Sequence, residues 1–228
     1  MTTNRKNDAR ETRVMLIDDH PIVLAGLSRT IEEEPNLVVT SMNQNRNGIL
    51  ERVISEGPDL VVTDLSNGSD RCGLDMIKEI HARQPALPIL VFSTHDEKIY
   101  AERSLRLGAR GYLMKSAPHA DLVSAMRTVA GGGIFLSATM SGIMVNQFVN
   151  GADNLDDKNA QPLRGLTERE FEVFELIGNG QTSRDIASSL NISIKTVETH
   201  RMHIRVKLAL KNGANLIQFA SRWVAARA

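Results

Sequence analysis

Three carboxylates stand where two apolar runs end. Val14-Met15-Leu16-Ile17 leads into Asp18 and Asp19, and Leu60-Val61-Val62-Thr63 leads into Asp64. Short runs of this kind, bounded by turn residues such as Pro58, read as strands buried on both faces of a sheet. A carboxylate at the end of such a strand stands at the sheet's rim, so the three form one acidic pocket. At an effective dielectric near 20, each close pair repels by about 4 kcal/mol at ~4 Å. A cation relieves that repulsion, and Mg2+ suits the donors because it favours oxygen ligands and retains several waters. A further run, Gly111-Tyr112-Leu113-Met114, ends on Lys115, and another ends on Ser93 and Thr94. Carboxylates, an ammonium, hydroxyls and a divalent cation make a site suited to holding a phosphoryl group on a carboxylate. The cations neutralise it and the hydroxyl bonds its oxygens.

The elements that must position these groups alternate along the chain. Strands are expected at 13–18, 37–41, 59–64, 88–93 and 111–115, and helices at 21–33, 47–56, 74–83, 97–107 and 119–130. Such alternation argues for an α/β unit with a five-stranded doubly wound parallel sheet covered on both faces. In the common strand order 2-1-3-4-5, strands 1 and 3 are neighbours at the switch point, where ligands bind. The three carboxylates are on those strands. Gly131-Gly132-Gly133 closes the unit, so the domain is expected to span 13–131 after a disordered N-terminus at 1–12. Residues 132–162 read as a linker that holds a short amphipathic helix at 138–149, and its last part, 150–162, is almost free of apolar residues.

From 163 to 228 the pattern is all-α, with four helices expected. Thr167 and Glu170 have the spacing of a capping box. The helix they open carries Phe171, Phe174 and Ile177, and Gly178 and Gly180 end it. A second helix, 182–190, opens with Thr182 and Asp185. Asn191-Ile192-Ser193 is a tight turn, because Asn tolerates the left-handed conformation. Helix 193–208 turns Val197, Ile204 and Leu208 inward, and 215–226 is the last helix.

The charge is unevenly spread. The whole chain is balanced at 27 basic and 27 acidic residues, yet 181–228 holds eight Lys/Arg against two Asp/Glu. A neutral whole with a basic end points to a polyanion met only by that end. Helix 193–208 follows the tight turn and starts basic and hydroxyl-rich, so it is the element expected in a DNA major groove. Its inward residues turn Glu198, Thr199 and Met202 outward, toward base edges. Thr182, Lys195, Thr196, His200, Arg201, Arg205 and Lys207 are placed to meet phosphates. Glu198 has two readings: it accepts from a cytosine amino group, or it pairs with Arg201 or Lys195 and orients them.

A single cysteine, Cys72, excludes an intrachain disulfide and any Cys-based metal cluster. The first residues are polar, unlike a signal peptide. No apolar run approaches the roughly 18–20 residues that cross a bilayer. The chain therefore reads as cytoplasmic, with no membrane partner.

The motifs Ile17-Asp18-Asp19-His20-Pro21, Thr63-Asp64-Leu65, Val91-Phe92-Ser93, Gly108-Ala109-Arg110-Gly111-Tyr112-Leu113-Met114-Lys115, Leu166-Thr167-Glu168-Arg169-Glu170 and Ile194-Lys195-Thr196-Val197-Glu198-Thr199-His200-Arg201 occur in this order. Over nearly the whole chain they resemble the NarL/FixJ family of bacterial two-component response regulators, a CheY-like receiver domain followed by a LuxR-type helix-turn-helix. The resemblance implies that Asp64 is the phospho-acceptor. It implies that Asp18, Asp19 and Asp64 hold Mg2+ with the Ser66 carbonyl, that Ser93 and Lys115 contact the phosphoryl group, and that Tyr112 is the switch aromatic. It also implies a sensor histidine kinase as phosphodonor and a homodimer on double-stranded DNA, with no enzymatic role. The chain departs from the family at 65–73, which lacks the usual Met-Pro and is one residue longer, and at Ser116, where many receivers carry proline. Two other functions are compatible with parts of the pattern. A Mg2+-dependent phosphatase would use the same rim, but its second carboxylate two residues after the nucleophile is replaced by Ser66. A DNA-binding regulator that works without phosphorylation would use a dimerising pseudo-receiver.

Overall fold

A computed structural model describes residues 11–45, 47–65, 73–150 and 162–226. The expectations for Ser66, for Cys72, for the first ten residues and for most of 150–162 lie outside the described residues. The chain divides into two compact units, and the division falls between Gly142 and Ile143.

The first unit is built on five strands: β1 (Thr12–Ile17), β2 (Leu37–Asn43), β3 (Leu60–Thr63), β4 (Ile89–Ser93) and β5 (Gly111–Met114). All pairings are parallel and the order is β2-β1-β3-β4-β5, as the alternation predicts. Helices α1 (Pro21–Glu32), α2 (Ile49–Glu56), α3 (Gly73–Arg83), α4 (Glu97–Arg106) and α5 (His119–Ala130) connect them. Pro21 opens α1, where its missing N–H would have had no helical partner. Val14, Leu16, Leu60, Val62 and Leu90 pack with Leu24, Leu27 and Ile31 of α1 and with Leu122, Met126 and Val129 of α5. The alternate strand residues Met15, Val61, Ile89 and Val91 are buried as well, which is why these strands are apolar without interruption.

The unit continues beyond Gly131-Gly132-Gly133, where the sequence pattern closes it. The chain returns along β5: the Phe135 N–H donates to the Arg110 carbonyl at 3.0 Å, and the Tyr112 N–H to the Phe135 carbonyl at 3.0 Å. The short run Ile134-Phe135-Leu136 carries no period, so nothing in the pattern marks this extra bridge. Helix α6 (Ala138–Asn150) follows. Its first turn is capped by Ser137 Oγ, which accepts from the Met140 N–H at 3.0 Å.

Among the described residues of the second unit, the part from 162 on forms a 3-10 turn at Pro162–Gly165 and four helices, α7 (Glu168–Gly178), α8 (Ser183–Ser189), α9 (Ile194–Lys207) and α10 (Gly213–Ala225). Both anticipated capping boxes form, Thr167 with Glu170 and Thr182 with Asp185. Asn191 takes φ 47° in the turn between α8 and α9. Phe171 and Phe174 meet Trp223 of α10 with ring centroids 5.5 Å apart in each case. Val197 and Ile204 face this core, whereas Leu208 caps α9 and is only half-buried.

Gly178 is the last helical residue of α7, and Gly180 takes the left-handed φ of 81° two residues later. A Cβ on Gly178 would lie 2.5 Å from Val224 Cγ2 and 2.7 Å from the Ala220 carbonyl oxygen. The glycine is there so that α10 can approach. Among the described residues, no helix is long and apolar enough to cross a membrane.

Candidate functional site

The register of the sheet assembles the pocket. Ile17 pairs with Thr63, so the residues that follow them leave the sheet side by side, and the Asp64 N–H donates to the Ile17 carbonyl at 2.9 Å. The Asp18 N–H is held by the Asn43 carbonyl at 3.0 Å, at the end of β2. One carboxylate oxygen each from Asp18, Asp19 and Asp64 and a ring nitrogen of His20 lie within 4.8 Å of one another. Asp18 and Asp64 are buried, and Asp19 is half-buried.

Lys115 reaches in from the end of β5. Its Nζ stands 2.6 Å from Asp18 Oδ2 and 2.8 Å from Asp64 Oδ2. Burial disfavours the ammonium, but the hydrogen bonds and charges of Asp18 and Asp64 outweigh it and hold the Lys115 pKa above the ordinary lysine value. The Leu65 N–H donates to Asp64 Oδ1 at 2.6 Å. His20 Nδ1 lies 2.8 Å from Asp19 Oδ1 and 3.2 Å from Asp18 Oδ1. In the sequence, His20 directly after Asp18-Asp19 reads either as a ligand or, more simply, as a helix-start residue; its ring nitrogen lies with the three carboxylates. The donor set is dominated by carboxylate oxygens and fits a hard divalent cation.

Ser93 is fully buried beside this group, on the adjacent β4. The backbone N–H of Lys115 donates to the Ser93 carbonyl at 2.7 Å. Ser93 Oγ lies 2.9 Å from His95 Nδ1. Tyr112 is fully buried and its hydroxyl donates to the His95 carbonyl at 2.9 Å. Burial, together with the nearby Asp64 charge, pushes its phenol far above the ordinary tyrosine value, so it stays a neutral donor.

In the second unit, Lys195, Thr196, Glu198, Thr199 and Met202 are exposed along α9, and Thr182 is exposed at the start of α8. Glu198 is engaged: Ser183 Oγ donates to its Oε1 at 2.5 Å, and Arg201 Nε lies 3.7 Å from the same oxygen. Three of the anticipated phosphate contacts have different surroundings from those the pattern implied. Lys207 Nζ is committed to Glu170 Oε2 at 2.6 Å. His200 is half-buried, and burial with the charge of Arg169 lowers its pKa. Arg205 is half-buried along α9. Helical spacing marks these positions as near the surface but does not reveal Glu170, which lies 37 residues earlier in the chain.

Comparison with known proteins fits both units. The Response regulator receiver domain family matches residues 14–127, and the family of Bacterial regulatory proteins, luxR family, matches 164–220. The chain is 33% identical over 208 residues to the oxygen regulatory protein NreC of Staphylococcus carnosus (strain TM300), covering 91% of this chain and 96% of that protein. It shares the fold of RcsB from Salmonella enterica serovar Typhimurium, solved bound to promoter rprA with the phosphomimetic BeF3-. There the TM-score is 0.66 and the identity 23%, over 93% of this chain and 99% of that one. A LuxR-family two-component response regulator from Aurantimonas sp. SI85-9A1 matches 61% of this chain and 99% of its own, at 31% identity and TM-score 0.56. A parallel receiver sheet with an acidic rim, joined to a LuxR-type helix-turn-helix, defines a phosphorylation-controlled DNA-binding response regulator. Within that class, the chain belongs to the NarL/FixJ family, with NreC of Staphylococcus carnosus among its relatives.

Proposed function

We propose that Asp64 accepts the phosphoryl group and that the resulting charge drives dimeric binding of DNA through α9. The observation that carries this reading is the Lys115 ammonium bridging two buried carboxylates, Asp18 and Asp64. A carboxylate oxygen of Asp64 attacks phosphorus. The bond from phosphorus to the donor breaks, and its electron pair leaves with the donor, a kinase imidazole or a small acyl phosphate. Asp18, Asp19 and Asp64, with the Ser66 carbonyl, would hold Mg2+, which supplies neutralising charge for the phosphoryl oxygens. Lys115 shares that neutralisation, and Ser93 Oγ donates to a phosphoryl oxygen. The new group adds about −1.5 to −2 charge. Drawing Ser93 and Lys115 toward it moves the ends of β4 and β5, and with Tyr112 they form the switch.

The phosphodonor is a sensor histidine kinase in the cytoplasm. The output is a homodimer whose two α9 helices read two half-sites, with Lys195, Thr196 and Thr199 nearest the DNA. Incubating the full chain with acetyl phosphate and Mg2+, followed by intact-mass measurement and mapping, tests the acceptor. One phosphoryl mass at Asp64 is expected. Continuous phosphate release without an adduct would make the protein a phosphatase, and no reaction would make it a regulator that works unphosphorylated.

A further inference from the structure

A hydroxyl has one proton to give, and phosphoryl oxygens only accept. In this structure the Ser93 hydroxyl meets His95 twice, with Oγ 2.9 Å from His95 Nδ1 and 3.4 Å from the His95 backbone nitrogen, and it also neighbours the Tyr112 hydroxyl directly. His95 in turn touches both tyrosines of the chain. Its carbonyl accepts the Tyr112 hydroxyl at 2.9 Å. Its ring meets Tyr100 edge-on, with centroids 4.7 Å apart and planes at 65°. Tyr100 is buried on α4. At the start of α4, Glu97 Oε1 accepts from Ser137 Oγ at 2.8 Å, and that hydroxyl caps α6.

From these contacts we propose that His95 is a positioning residue that couples the Ser93 hydroxyl to Tyr112 and α4. The proposal deepens the reading of Asp64 as acceptor and rests on it for the stimulus. Where Nδ1 accepts from Ser93, a phosphoryl group on Asp64 takes that proton and the ring loses its partner. Where Nδ1–H donates, the hydroxyl turns its proton to the phosphoryl group and the ring follows the oxygen. Either way His95 carries the change to α4 through its ring, and through its carbonyl it adds to what the Tyr112 hydroxyl receives from Ser93 directly.

The test uses the full chain with ring-labelled tyrosine, whose two NMR signals belong to Tyr100 and Tyr112. His95→Phe keeps a ring against Tyr100 and loses the nitrogen. His95→Asn keeps a polar atom near the place of Nδ1 and loses the ring. Without any phosphodonor, Ser93→Ala should displace both tyrosine signals in the wild-type background. In the His95→Phe background most of the Tyr100 displacement should vanish, and that of Tyr112 should shrink to the part carried by its direct contact with Ser93. In His95→Asn the response of Tyr112 should return and that of Tyr100 should not. With acetyl phosphate and Mg2+, His95→Phe should gain the phosphoryl mass like wild type while its Tyr100 signal barely responds. Equal displacements by Ser93→Ala in all three backgrounds would overturn the coupling, as would a full Tyr100 response in phosphorylated His95→Phe. Absence of an adduct on the wild type would instead sink the acceptor reading, and the arm without phosphodonor still decides the coupling.

Discussion

Lys207 donates to Glu170 Oε2 at 2.6 Å and so ties the last turn of α9 to the first turn of α7. The carboxylate is buried, and it also accepts from the Thr167 N–H at 2.7 Å. Burial alone would raise the Glu170 pKa, but Lys207 and Thr167 together hold it below the ordinary glutamate value. A depressed carboxylate contributes stability that is present above its unfolded pKa and is lost as pH falls through the folded one. Trp223, the only tryptophan in the chain, packs on α7 and reports on this unit alone. Glu170→Gln should lower Trp223-monitored stability at neutral pH by about 1–2 kcal/mol. It should also reduce the loss on going to acid. Identical denaturation midpoints for variant and wild type at pH 7 would contradict the role assigned to this pair.

The acidic pocket makes a second stability prediction. Lys115 is the cation that the structure places between Asp18 and Asp64, and both carboxylates are buried. Lys115→Ala leaves them facing each other, so the first unit should lose about 3 kcal/mol. Added Mg2+ should restore part of the loss in thermal unfolding, and more in the variant than in wild type. The Lys115 pKa is raised, so its contribution is constant through neutral pH and is lost only as pH rises past the ordinary lysine range. A variant as stable as wild type in metal-free buffer would remove the ammonium from this account.

Gly178→Ala tests the approach of α10 to α7. The added Cβ would fall 2.7 Å from a backbone oxygen, Ala220 O, which cannot swing aside as a side-chain tip can. The helix interior favours Ala over Gly by propensity, so a gain would be expected if the glycine were only a stop signal. The overlap should win, with a loss of about 1–3 kcal/mol, read as a lower unfolding midpoint by Trp223 fluorescence. A stabilised variant would mean that α10 can shift freely.

The sheet was legible because its strands are uninterrupted apolar runs of the kind only a doubly covered parallel sheet produces, and their order follows from the βα alternation. Asp18, Asp19, Asp64, Ser93 and Lys115 were legible because each lies at a strand end, where register alone brings them together. His95 and Asn43 were not. Each acts through a contact with a neighbouring strand or hydroxyl, Ser93 for the one and the Asp18 N–H for the other, and no local period encodes such a contact. The return of Phe135 to β5 was missed for the same reason. On α9, the inward set Val197 and Ile204 was readable from helical spacing and fixed which residues are exposed. The partners of those exposed residues come from other helices, as Glu170 of α7 does for Lys207, and helical spacing does not encode them.

That distinction carries the prediction for DNA binding. Lys195 and Lys207 are both basic residues of α9, but Lys195 is exposed at its first turn while Lys207 is bound to Glu170. Lys195→Ala should weaken all sequences alike and lower the salt slope by about one. Lys207→Ala should leave the salt slope unchanged and act instead on stability. Glu198 tells the two readings of this helix apart. One oxygen is engaged by Ser183 of α8 and lies near Arg201, so the geometry favours a carboxylate that orients its neighbours over one that reads a base. Selection of binding sites from a random double-stranded library should therefore return the same motif for wild type, Ser183→Ala and Glu198→Gln, with weaker binding in both variants. A motif relaxed at one position in each half-site by Glu198→Gln, but not by Ser183→Ala, would instead make Glu198 a direct contact. The expected partner is then a cytosine amino group, worth about 1–3 kcal/mol of discrimination.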